Sequence, residues 1–159
     1  MPDITVRDIM RTEVITVAPS DAVAKVAQAL DSSGLSGVPV VENGEVVGII
    51  TETDIIQRQA DVSMPTYVSF WDRIFVLDVG PDYEEEIRHV LATDARSLMT
   101  HPVYNIRDNA TLEEVATVMI DHGIGVLPVL DPANQLVGIV TRKDLVKMIA
   151  KLENDETSE

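Results

Sequence analysis

The sequence predicts an α/β (α+β) fold built from two β-α-β-β-α repeats, packed sheet to sheet with pseudo-two-fold symmetry. Three observations predict it. First, the chain repeats itself. Val6-Arg7-Asp8-Ile9-Met10 matches Ala95-Arg96-Ser97-Leu98-Met99, and Gly34-Leu35-Ser36-Gly37-Val38-Pro39-Val40 matches Gly123-Ile124-Gly125-Val126-Leu127-Pro128-Val129, both at an offset of 89. After one inserted residue, Val47-Gly48-Ile49-Ile50-Thr51-Glu52-Thr53-Asp54 matches Val137-Gly138-Ile139-Val140-Thr141-Arg142-Lys143-Asp144 at an offset of 90. Second, the hydrophobic pattern of both copies alternates between strand-like and helix-like stretches in one order. Third, a single copy is too small to bury both faces of its own sheet. Two copies packed together close one core and leave two equivalent clefts between them.

The elements follow in chain order. A short extended stretch, Val14 to Val17 or Val103 to Ile106, leads to a cap candidate, Ser20 or Asn109. A helix follows, its apolar residues at i, i+3, i+4 and i+7: Val23, Val26, Ala27, Leu30, and Leu112, Val115, Ala116, Met119. Gly34 and Gly123 suit the left-handed position that ends a helix. An apolar strand comes next, Val38 to Val41 or Leu127 to Leu130. It turns at Asn43-Gly44, a strong hairpin signal, or at Asp131-Pro132-Ala133-Asn134. The returning strand is Val46 to Ile50 or Leu136 to Val140, and a final helix starts at Thr51 or Thr141. The expected organisation is repeat 1 at 6–56, an insert at 57–94, repeat 2 at 95–150 and an acidic, disordered tail at 151–159.

Composition narrows the function classes. Hydrophobic residues make up 45% of the 159, enough for a core without disulfides. There are no cysteines, which excludes a thiolate nucleophile and a cysteine-based zinc site and fits a reducing cytoplasm. The net charge of −15 opposes binding to nucleic acid or anionic membrane, and no Lys/Arg run exceeds Arg142-Lys143. No stretch approaches the ~20 apolar residues of a membrane span. The start, Met1-Pro2-Asp3-Ile4-Thr5, has no basic segment leading into an apolar one, so no signal peptide is expected.

The motifs Gly48-Ile49-Ile50-Thr51-Glu52-Thr53-Asp54 and Gly138-Ile139-Val140-Thr141-Arg142-Lys143-Asp144 each stand behind a Val-Pro-Val or Leu-Pro-Val strand. In these motifs and their repeated frame, the chain resembles a tandem pair of cystathionine-β-synthase-type (CBS) domains, a Bateman module, over roughly 6–56 and 95–150. The resemblance implies a regulatory ligand that contains adenosine: AMP, ADP, ATP or S-adenosylmethionine. It implies that the motif threonine, Thr51 or Thr141, meets phosphate and that the motif aspartate, Asp54 or Asp144, holds the ribose hydroxyls. It also implies a homodimer, since many such pairs form a flat disc.

The residue types suit that ligand. A strand running into a helix start offers backbone N–H groups and the positive end of the helix dipole to an anion. A carboxylate three residues on sits in the same first turn and can accept two hydrogen bonds from a vicinal diol. Gly48 and Gly138 leave room for a base against the strand, and Val38, Ile49, Leu127 and Ile139 could sandwich an adenine. Thr-x-x-Asp is equally a helix capping box, and both uses stay open. Arg142 and Lys143 replace Glu52 and Thr53 of the first copy. Cations in a first helical turn oppose the dipole, so either they mark a more phosphorylated ligand at the second copy or they simply point to solvent, and both readings stay open. Some nucleotide-binding members carry a basic residue where Ser36 and Gly125 stand here. Phosphate then needs Arg11, Arg142, Lys143 or a bridging Mg²⁺.

Five of the six aromatics lie in the insert: Tyr67, Phe70, Trp71, Phe75 and Tyr83. Asp82-x-x-Glu85 reads as a capping box opening a helix to about Ala92. The segment either packs on its own repeats, joins a homodimer or docks on a client protein. His89, His101 and His122 are scattered and show no metal-ligand spacing. No phosphate-binding glycine loop and no nucleophile elbow occurs. The leading expectation is therefore a cytoplasmic nucleotide sensor without catalysis. The alternatives are a ligand-free interaction protein acting through the insert and a sensor of divalent cations.

Overall fold

A computed structural model of the chain describes residues 3–58, 67–70, 73–76, 92–100 and 103–157. Both repeats adopt the expected frame. A 3₁₀ turn at Val6–Asp8 opens the chain. Repeat 1 then holds α1 (Val23–Ser33), β1 (Gly37–Glu42), β2 (Glu45–Thr51) and α2 (Glu52–Gln57). Two short antiparallel strands follow, β3 (Tyr67–Phe70) and β4 (Arg73–Val76). Repeat 2 holds α3 (Ala95–Leu98), β5 (Ile106–Arg107), α4 (Leu112–His122), β6 (Val126–Leu130), β7 (Leu136–Thr141) and α5 (Arg142–Glu156).

In repeat 2, β5 pairs parallel to β6, which pairs antiparallel to β7. In repeat 1, β1 and β2 form the hairpin, and the place of β5 is taken by Val17 alone, bridged in parallel to Val40. The β1–β2 turn puts Asn43 and Gly44 at φ 53° and 81°, as the Asn-Gly signal required. Gly34 and Gly123 both end their helices at φ 63°.

Three expectations need correction. Ser20 and Asn109 do not cap the first helices; Ala22 and Thr111 do. Ala22 can serve without a side-chain acceptor because the Val23 amide donates to the carbonyl of Thr93, at the end of the insert, 3.3 Å away. The segment from 151 is helical as far as Glu156 rather than disordered, because α5 continues past the repeat. The core is also not a single one. One cluster gathers Val26, Leu30, Val38, Val40 and Ile50 with Ala95, Leu98 and Met99. The other gathers Val115, Leu127, Val129 and Val140 with Val6.

The repeats thus exchange their leading segments. Val6–Met10 opens repeat 1 in sequence but packs Val6, Ile9 and Met10 on the core of repeat 2, and Ala95–Met99, which opens repeat 2, fills that of repeat 1. Backbone pairing enforces the exchange. Arg11 and Ile139 bond each other in both directions at 2.8 and 2.9 Å, and Thr100 and Ile49 do the same at 2.9 and 3.3 Å. Each of these bridges is the other's image under the repeat offset. The expected helix from Asp82, with His89, His101 and Trp71, lies outside the described residues.

Candidate functional site

Each motif threonine is the last residue of a strand and the N-cap of a helix, with extended backbone at φ −107°, ψ 167° for Thr51 and φ −119°, ψ 164° for Thr141. Both carry full capping boxes. Thr51 N and Thr51 Oγ1 donate to Asp54 Oδ2 at 2.8 and 3.1 Å, and the Asp54 amide donates to Thr51 Oγ1 at 3.4 Å. Thr141 and Asp144 repeat the pattern at 3.0, 2.8 and 3.3 Å. Asp54 is buried at 6% exposure and Asp144 nearly so. The first helical amides are also engaged, Glu52 N with the Ser36 carbonyl at 2.9 Å and Arg142 N with the Gly125 carbonyl at 3.1 Å. Two donors of each first turn are therefore already satisfied within the chain.

Two clefts border these helix starts. The first, about 480 Å³, is walled by both repeats: Ile49 and Thr51 from one, Ile124, Gly125 and Arg142 from the other. Arg142 lies over Gly125, where a Cβ would come within 2.9 Å of its Nη1. Tyr104 and His122 form an additional wall, their rings stacked at 3.9 Å between centroids and 19° between planes. The second cleft, about 470 Å³, lies at the start of α5 and includes Asp144, Lys143 and Arg11. There Arg11 Nε and Nη2 both donate to Asp144 Oδ1 at 3.1 Å, closing the carboxylate's outer oxygen.

The ten residues singled out in the sequence divide accordingly. Thr51, Ile49 and Arg142 meet at the first cleft; Asp144 and Lys143 meet at the second. Arg142 and Lys143, adjacent in sequence, thus serve different clefts. Asp54 and Thr141 hold their partners from just beneath. Val38, Leu127 and Ile139 are fully buried and line neither cleft, so they cannot sandwich a base. Strand alternation explains the first two: Val38 and Leu127 point into the two cores while Ile49 and its counterpart Ile139 point the other way, and Ile139 is covered there all the same. Gly48 and Gly138 do not await a base either. The side chains of Met99 and Met10 lie on them, each from the exchanged segment.

Sequence reasoning missed the Tyr104–His122 stack, because contact between residues 18 apart across a helix has no local pattern. It also missed Lys147 and Lys151, which line the second cleft. Their spacing of four after Lys143 was the available signal. Among the described residues no group of three or more His, Asp or Glu side chains gathers as a metal site, and no helix is long and apolar enough to cross a membrane.

The CBS domain matches the chain twice, over residues 6–61 and 95–151, and so over most of its length. The chain belongs to the CBS domain family. Relatives of this CBS pair are spread widely. It is 28% identical over 160 residues to the uncharacterized protein MK0525 of Methanopyrus kandleri, covering 98% of this chain and 69% of that one. Its fold matches that of Arabidopsis thaliana CBSX2 in complex with AMP, with a TM-score of 0.74, 25% identity, and 92% and 97% of the two chains covered. It also matches the CBS domain pair of MJ0100 in complex with 5′-methylthioadenosine and S-adenosyl-L-methionine, with a TM-score of 0.70, 23% identity, and 94% and 98% covered.

Proposed function

We propose that this CBS pair is a regulatory module, acting as a cytoplasmic homodimer, that senses an adenine nucleotide and catalyses nothing. One observation carries the reading. The cleft of about 480 Å³ is walled by both repeats and brings a threonine hydroxyl and a guanidinium to one space. That volume falls within the roughly 300–1,000 Å³ of small-molecule sites. Arg142 meets a phosphate by charge and by its planar donor fork. Ile49, Ile124 and the Tyr104 ring offer apolar surface to a purine. Asp54, buried behind Thr51 and outside the cleft lining, reaches the ribose diol by turning from the Thr51 hydroxyl toward the cleft, which frees that hydroxyl to donate to phosphate. The AMP bound by CBSX2, alike over nearly the whole chain, supports the choice of ligand.

Regulation follows from the two-sided wall. A ligand touching both repeats favours the arrangement in which it makes both sets of contacts, by the difference in its affinity for the two arrangements. Ile56 on α2 and Val146 on α5 are 65% and 63% exposed, and we assign this apolar surface to contact with a second copy. No client protein is specified by these residues.

A thermal-shift series with AMP, ADP, ATP and S-adenosylmethionine tests the reading. A ligand at a hundred times its Kd adds about 2.7 kcal/mol, several degrees of melting temperature for a chain of this size. No shift with any of the four favours an interaction protein instead. A shift with Mg²⁺ alone favours a sensor of divalent cations.

A further inference from the structure

Three of the chain's four lysines, Lys143, Lys147 and Lys151, line the second cleft, and Arg11 joins them from the exchanged N-terminal segment. This is an unusual concentration in a chain of net charge −15. The lysines are four residues apart on α5 and share one helix face, their backbone origins about 6 Å apart and spanning about 12 Å. Such an arrangement disfavours the helix on its own. Like charges at i and i+4 repel, and Lys143 sits in the first turn against the dipole. Two carboxylates face the four cations, Asp8 and Asp144. The Asp144 carboxylate is already bonded by Thr141 and Arg11, so the cleft carries a surplus of positive charge. The corresponding positions of repeat 1 are Thr53, Gln57 and Asp61, with no cation among them.

We infer that this cleft binds a phosphate chain, the lysine row following a nucleoside triphosphate outward from Asp144. The nucleoside half of the inference rests on the function proposed above; the phosphate half rests on the lysine row. Arg11 is half-exposed, so it can leave Asp144 for the phosphates as the ribose hydroxyls take its place. The site then ranks adenine nucleotides by phosphate count, ATP above ADP above AMP. Repeat 1 has no such row and makes no such distinction.

The test is calorimetric titration, at one low salt concentration, of ATP, AMP and inorganic tripolyphosphate into the wild type and the double variant Lys147→Gln/Lys151→Gln. Both lysines are exposed, so the variant keeps its fold, and its melting temperature checks this. The wild type should bind ATP at least about tenfold more tightly than AMP, and the double variant should lose about tenfold for ATP with AMP unchanged. Equal ATP and AMP affinities in the wild type, or an unchanged ratio in the variant, overturn the inference while leaving adenosine binding intact. Tripolyphosphate binding as tightly as ATP upholds the lysine row as an anion site but removes the nucleoside. Failure of all three to bind removes both.

Discussion

Arg11 donates from Nε and Nη2 to the outer oxygen of Asp144, both at 3.1 Å, across 133 residues of chain. The pair joins the exchanged N-terminal segment to the capping box of α5, so Arg11 already engages the carboxylate proposed to hold a ribose. The guanidinium is 44% exposed, and the pair therefore contributes little to stability, about 0–1 kcal/mol. Arg11→Ala should shift the melting temperature by only a few degrees. It should strengthen binding of adenosine, which gains an open carboxylate, and weaken binding of ATP, which loses a cation. The ATP-to-adenosine affinity ratio measured by calorimetry should fall. An unchanged ratio would detach Arg11 from the site.

Exchange of the leading segments makes each half of the chain depend on the other. Leu98 belongs by sequence to repeat 2 but is fully buried in the core of repeat 1. Leu98→Ala should cost about 2–5 kcal/mol. By hydrogen exchange, the β1–β2 hairpin should lose protection along with α3. Loss confined to repeat 2 would contradict the exchange.

Gly48 lies under Met99, where an added Cβ would come within 2.8 Å of the Met99 Cβ and closer to its outer side-chain atoms. Gly48→Ala should destabilise by about 1–3 kcal/mol through overpacking. Combining it with Met99→Ala should cost less than the two single changes summed, as a double-mutant cycle in denaturant would reveal.

Acid should weaken the same joints. The Ser97 amide and hydroxyl donate to Asp94 at the start of α3 and hold its carboxyl below the usual range. The Ala18 amide and then Lys25 lower that of Asp21, whose carbonyl accepts the Ala95 amide. A carboxyl with a depressed folded-state pKa contributes stability above its unfolded value, near 4, and loses it as pH falls through the folded one. Denaturant stability should thus decline below about pH 4, and Asp94→Asn should flatten that decline. A variant with the wild-type slope would contradict the assignment.

The repeat, its element order and both capping boxes were legible in the sequence because each is local: a period, a cap spacing, an Asn-Gly turn. The assignment of Gly48 and Gly138 was not, because the methionines that cover them arrive from the other repeat. Ser20 is not the cap for a related reason, since the first amide of α1 is satisfied by Thr93, distant in sequence at the end of the insert. At the site, residue types were read more reliably than their directions. Arg142 and Lys143 were rightly marked as cations at a helix start, but the helix turn sends them to separate clefts. Val38 and Leu127 neighbour the motif in sequence, but their strand positions turn them into the two cores; Ile139 shares the outward register of Ile49 and is nonetheless fully buried.

Calorimetric titration of AMP into the wild type, Asp54→Ala and Asp144→Ala addresses the central proposal most directly. Saturable binding to the wild type, weakened about tenfold or more by Asp54→Ala, is the predicted result. AMP that fails to bind the wild type, or binds both variants as it does the parent, would contradict a nucleotide held at these helix starts.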